Sequence, residues 1–81
     1  MRRSQRQIIK IMLELATDGI KKTPLMFKSY LSWKQLEPYL KLLLDRGLLR
    51  EESPYYYTTL KGESWLEAYE ALRKFEEPAD A

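Results

Sequence analysis

The sequence predicts one mainly α domain carrying a small β-hairpin, in the order helix, helix, helix, hairpin, helix (α-α-α-β-β-α). Three observations lead there. Apolar residues recur every three or four positions in two blocks, Ile8 to Ala16 and Leu36 to Leu43, the spacing that lines one face of a helix. After Gly47 that period gives way to two short runs around Ser53-Pro54, as in a pair of strands joined by a tight turn. Thr59 then precedes a second long stretch that meets no proline until Pro78, as expected of a capped helix. A chain of 81 residues buries enough apolar surface for one core and not for two. Residues 1–76 are therefore expected to form the domain and 77–81 a short polar tail.

The first helix is expected over Ser4 to Thr17, because Ser4 and Gln7 have capping-box spacing ahead of Ile8, Ile9, Met12, Leu13 and Ala16. Asp18-Gly19 closes it with a turn. Thr23-Pro24 places a capping hydroxyl before a proline suited to a first helical position, so a short second helix is expected from Pro24 to Ser29. Ser32 caps a third helix, Trp33 to Arg46, with Leu36, Tyr39, Leu40 and Leu43 as its buried stripe and Gly47 as the left-handed residue beyond its end. Only Tyr30, Leu31 and Ser32 separate helices two and three, a turn short enough to fix them at a steep angle, with Leu31 as the core plug. Leu48 to Glu52 and Tyr55 to Thr58 form the hairpin, and alternation puts Tyr55 and Tyr57 on one face and Tyr56 on the other. The last helix runs from Leu60 to Glu76. Pro38 falls inside the third helix, where it removes a backbone hydrogen bond and crowds the carbonyl of Lys34 at a cost of up to ~3 kcal/mol. The third helix is accordingly expected to be kinked there or irregular in its first turn.

Composition excludes several function classes. Hydrophobic residues make up 44% and charged residues 32% of the chain, a globular balance. Cysteine and histidine are both absent, which removes disulfides, most zinc chemistry and every Cys/His or Ser/His nucleophile pair. Glu63, Glu67 and Glu70 have the spacing of ordinary exposed helix charge, and no nucleotide-binding glycine motif occurs. No enzyme activity, metal or cofactor is expected, and no small-molecule ligand is evident. No apolar run approaches the ~20 residues of a membrane span, and no signal-peptide core follows Arg2 and Arg3, so a soluble cytoplasmic protein is expected. The net charge of +2 conceals an asymmetry: residues 1–50 hold 11 Lys/Arg against 4 Asp/Glu, whereas residues 51–81 hold 3 against 8. A basic first part and an acidic last part point to a polyanion on one face and solvent or a partner on the other.

Three helices followed by a two-stranded wing make up the winged helix-turn-helix arrangement. The stretch TPLMFKSYLSWKQLEPYLKLLLDRGLL, followed by YYYTTLKGESWLEAYEAL, resembles an archaeal winged helix-turn-helix family of small DNA-binding proteins that includes dimeric, chromatin-associated members. The resemblance spans about Ile8 to Leu72 and is carried by Thr23, Met26, Phe27, Lys28, Leu31, Ser32, Trp33, Tyr39-Leu40, Gly47-Leu48, Thr59 and Lys61-Gly62. It implies double-stranded DNA as the partner, a homodimer, and a transcriptional or nucleoid-associated role.

With the third helix as recognition helix, burial of its stripe leaves Lys34, Gln35, Pro38 and Lys41 facing outward. Gln can pair with adenine edges, and Lys with guanine or phosphate. Arg2, Arg3, Arg6 and Lys10 form a basic N-terminal arm, and Lys21, Lys22 and Lys28 flank the second helix; all are phosphate candidates. Ser32 adds a hydroxyl and free amides at a helix N-terminus. Arg50 on the first wing strand can reach the backbone, but Glu51 and Glu52 beside it repel phosphate, so the wing is a poor reader. Trp33 is expected to pack against the second helix in preference to stacking on DNA. Along the last helix Trp65, Ala68, Leu72 and Phe75 follow a 3-4-3 spacing beside a second stripe of Leu66 and Tyr69. That is more apolar surface than one contact needs, so Trp65, Ala68, Tyr69, Leu72 and Phe75 are the expected dimer interface. In the competing reading the same acidic helix docks other proteins.

Overall fold

The computed structural model describes residues 3–76. It consists of α1 (Gln5–Leu15), β1 (Ile20–Lys21), α2 (Lys22–Lys28), α3 (Trp33–Asp45), β2 (Leu49–Glu52), β3 (Tyr55–Thr58) and α4 (Leu60–Glu76). Arg2, the tail at 77–81 and its Pro78 lie outside the described residues.

α1 starts on the capping box read from the sequence: the Gln7 amide donates to Ser4 Oγ and Ser4 N donates to Gln7 Oε1. It stops at Leu15, two residues before the expected Thr17, because Ala16 is already its cap. After the turn through Asp18-Gly19, Ile20 and Lys21 form a strand that the sequence reading left out. Two residues are too few to display an alternating pattern; what makes them a strand is pairing with β3, Ile20 opposite Tyr56 and Lys21 opposite Tyr55. The sheet therefore has three strands in the order β1-β3-β2, not two.

α2 begins at Lys22, earlier than the expected Pro24, with Lys21 as a cap that makes no side-chain bond. Pro24 is tolerated because the first-turn amides have no intrahelical acceptor in any case. At the other end Tyr30 takes a left-handed φ of 57°, and the amides of Tyr30 and Leu31 donate back to the carbonyls of Phe27 and Met26. That is a Schellman closure, and Leu31 beyond it is buried as the core plug. α3 closes the same way, with Gly47 at φ 73° and the Leu48 amide bonded to Leu43 O at 2.9 Å. Its start is regular: Ser32 and Gln35 form a second capping box, and the helix continues through Pro38 to Asp45. An irregular first turn is thus excluded.

The core joins Ile9, Met12, Leu13 and Ala16 of α1 to Leu25 and Met26 of α2, Leu36, Leu40 and Leu43 of α3, and Ile20, Leu49 and Tyr56 of the sheet. Tyr39, expected in the buried stripe, is only partly buried against it. Two threonines lock the wing to the helices. Thr58 donates its hydroxyl to Leu13 O at 2.6 Å and its amide to Ala16 O at 3.0 Å. Thr59 donates its hydroxyl to Gly47 O and accepts the Gly62 amide, so one oxygen joins the end of α3 to the start of α4. Gly62 is buried against the Leu48 carbonyl and the Thr58 methyl.

Candidate nucleic-acid interface

The outward side of α3 carries Lys34, Gln35, Pro38 and Lys41, all exposed. Lys34 and Lys41 are not ion-paired among the described residues. Gln35 is already engaged: Oε1 accepts Ser32 N at 2.9 Å, while its own amide donates to Ser32 Oγ at 3.2 Å. In this arrangement Gln35 keeps one lone pair of Oε1 and its amide NH2 for a base edge, in the single orientation that the box allows. Ser32 commits its amide and one lone pair of its hydroxyl oxygen to the box, which leaves the O–H as a donor.

Several of the other cations have protein partners that only tertiary structure could reveal. Lys22 pairs with Glu37 on α3 and lies 5.7 Å above the Trp33 ring. Its pKa is raised above the ordinary 10.5, chiefly by the bond to Glu37 and against the opposing effect of desolvation. Trp33 thus faces α2 through Lys22, while remaining half exposed at 48%. Lys10 bridges to Glu14 at 3.4 Å, and Arg50 pairs with Glu52. Arg3 donates to the Tyr30 carbonyl at 3.2 Å and sits 5.7 Å from the Tyr30 ring. Arg6, Lys21 and Lys28 are exposed.

The outer face of the sheet is a row of alternating charge and aromatic. Register sets Lys21 beside Tyr55 and Arg50 beside Tyr57, and the cations lie 5.7 Å and 4.6 Å from those rings. The two tyrosines are 6.3 Å apart, and Tyr56 points the other way into the core, as alternation requires.

On α4 the two apolar stripes are divided along the length of the helix. Trp65 and Leu66 pack partly against the core, and Tyr69 stacks on Trp65 at 5.4 Å and 13°. Ala68 is exposed, as are Leu72 at 44% and Phe75 at 90%. A single apolar surface thus closes the domain at its first turns and is left uncovered at its last. Among the described residues no group of acidic, Cys or His side chains is placed to hold a metal, and no helix is long and apolar enough to cross a membrane.

Compared with known proteins, a family model described as winged helix-turn-helix matches residues 2–77. No curated protein matches the chain.

Proposed function

We propose that this chain, which belongs to the winged helix-turn-helix family, binds double-stranded DNA as a homodimer with α3 in the major groove. The observation that carries this reading is the outer strip of α3, where Lys34 and Lys41 project without a carboxylate partner among the described residues from a helix sealed into the core by Leu36, Leu40 and Leu43. Arg6, Lys21 and Lys28 meet phosphates around it, and with Gln35 held in its capping box base reading is modest. Such a protein coats or regulates DNA in the nucleoid, as a chromatin-associated protein or a transcriptional regulator of relaxed specificity. The dimer is assembled through Leu72 and Phe75, whose exposure at the end of α4 also supports the competing role as a protein-docking module. A gel-shift titration on random duplex DNA at low and moderate salt tests the DNA reading. Log affinity should fall linearly with log salt, at a slope of about −0.9 per phosphate neutralised. No shift at micromolar protein in low salt would leave the docking module as the better account.

A further inference from the structure

A cleft of about 420 Å³ separates the first half of α1 from the second half of α4 and is lined by Arg3, Gln7, Lys10, Ile11, Tyr69 and Arg73. Three of these six side chains are cationic and none is acidic. Among the described residues, Lys10 pairs with Glu14 at 3.4 Å and Arg73 with Glu70 at 3.9 Å, both carboxylates outside the lining, and exposed pairs of that kind are weak in water. Arg3 is the distinctive member. One of its terminal nitrogens donates to Tyr30 O, while the other, Nη1, is buried and has no hydrogen-bond partner among the described residues. A buried guanidinium nitrogen left without an acceptor is costly, and a turn of the Arg3 side chain toward the cleft brings it to an oxyanion there in the fork geometry that Arg favours. The remaining wall is apolar and flat: the Tyr69 ring, held by its stack on Trp65, and Ile11.

We propose that this cleft binds a small organic oxyanion with a planar apolar body, its phosphate or carboxylate held by Arg3, Lys10 and Arg73 and its body laid on Tyr69. Arg3 and Lys10, which the sequence alone offers as DNA contacts, then serve a free anion instead. A DNA phosphate shares the same oxyanion chemistry, so the test has an arm for each source.

The full chain is titrated with phenyl phosphate and with inorganic phosphate at constant ionic strength in chloride, followed by calorimetry and by fluorescence of Trp65 stacked on Tyr69. Saturable binding is expected, several-fold tighter for phenyl phosphate, weakened about tenfold or more by Arg3→Gln or Lys10→Gln as charge-assisted contacts are lost, and unchanged by Lys41→Gln on α3. In the second arm, Arg3→Gln and Lys10→Gln leave affinity for a short duplex within about twofold. Failure to saturate, equal affinity for the two phosphates, indifference to both substitutions, or a parallel loss of duplex binding overturns the assignment. If the parent chain binds no duplex at all, the DNA reading fails, while the phenyl phosphate arm still decides the cleft.

Discussion

Replacing Gly62 by Ala adds one methyl group at the place where α4 leans on the wing. The new Cβ would lie 2.6 Å from Thr58 Cγ2 and closer still to the Leu48 carbonyl oxygen, about 1 Å short of the ~3.5–4.0 Å at which carbon atoms rest. Neither neighbour can yield easily. Thr58 is fixed in its rotamer by the bond from its hydroxyl to Leu13 O, and the Leu48 carbonyl is backbone that accepts the Thr59 amide at 3.1 Å. The helix must therefore lift away. Overpacking of this kind costs about 1–3 kcal/mol, and stretching the Thr59 cap to Gly62 adds up to about 1 kcal/mol. Against this, Ala is the better helix former by about 1 kcal/mol. The net expectation is a loss of about 1–3 kcal/mol, and each kcal/mol lowers Tm by about 4–8 °C in a domain of this size. Thermal and urea unfolding followed by circular dichroism give the number. A Gly62→Ala variant with a Tm equal to or above the parent's would refute the close-approach argument, because helix propensity alone would then be in charge.

The hydroxyl of Ser29 is fully buried with no hydrogen-bond partner among the described residues, so Ser29→Ala should raise stability by about 1 kcal/mol in the same unfolding assay; a loss would mean that the hydroxyl is satisfied. Burial, and next the Glu51 carboxylate, raise the Tyr56 hydroxyl above its ordinary 10.0. A raised folded pKa gives stability that is complete below about pH 10 and lost as pH rises through the folded value. The urea midpoint should thus hold level to about pH 9 and then fall, less steeply for Tyr56→Phe, with the raised Lys22 adding to the fall in the same window. In competition binding, Lys34→Ala should alter the ranking of DNA sequences by up to about 1–3 kcal/mol wherever it meets a base. Gln35→Ala should leave the ranking intact and cost about 1 kcal/mol of fold stability through the lost capping box; a scrambled ranking would show that Gln35 reads a base. Sedimentation equilibrium should find a dimer in the parent and monomer in folded Leu72→Glu and Phe75→Glu, and a monomeric parent would remove the α4 interface.

What the sequence shows of this molecule follows the range of the forces involved. Capping at Ser4, the glycine closure at Gly47, the plug at Leu31 and the outward set on α3 are local matters of spacing and residue type, and each is legible in a few adjacent letters. β1 is not, since two residues become a strand only by meeting β3 across more than thirty positions of chain. The left-handed Tyr30 also escapes notice, because that backbone normally advertises itself with glycine. The site is less legible than the fold for the same reason. Lys22 reads as a free cation until Glu37 is brought beside it, and Arg3 reads as part of a loose arm until it is found bonded to the turn ahead of α3. Gln35 was readable in principle: Ser32 and Gln35 have the same spacing as Ser4 and Gln7.

The single hydroxyl of Thr59, shared between Gly47 and Gly62, ties the end of α3 directly to the start of α4. In the α4 dimer proposed above, the two α3 helices would then be carried as one rigid caliper. The separation and phase of paired half-sites would then be set by the angle at which two α4 helices cross, in steps of the DNA helical repeat. A substitution on the α4 surface that changes that angle would retune which spacings are gripped without touching a residue that faces DNA.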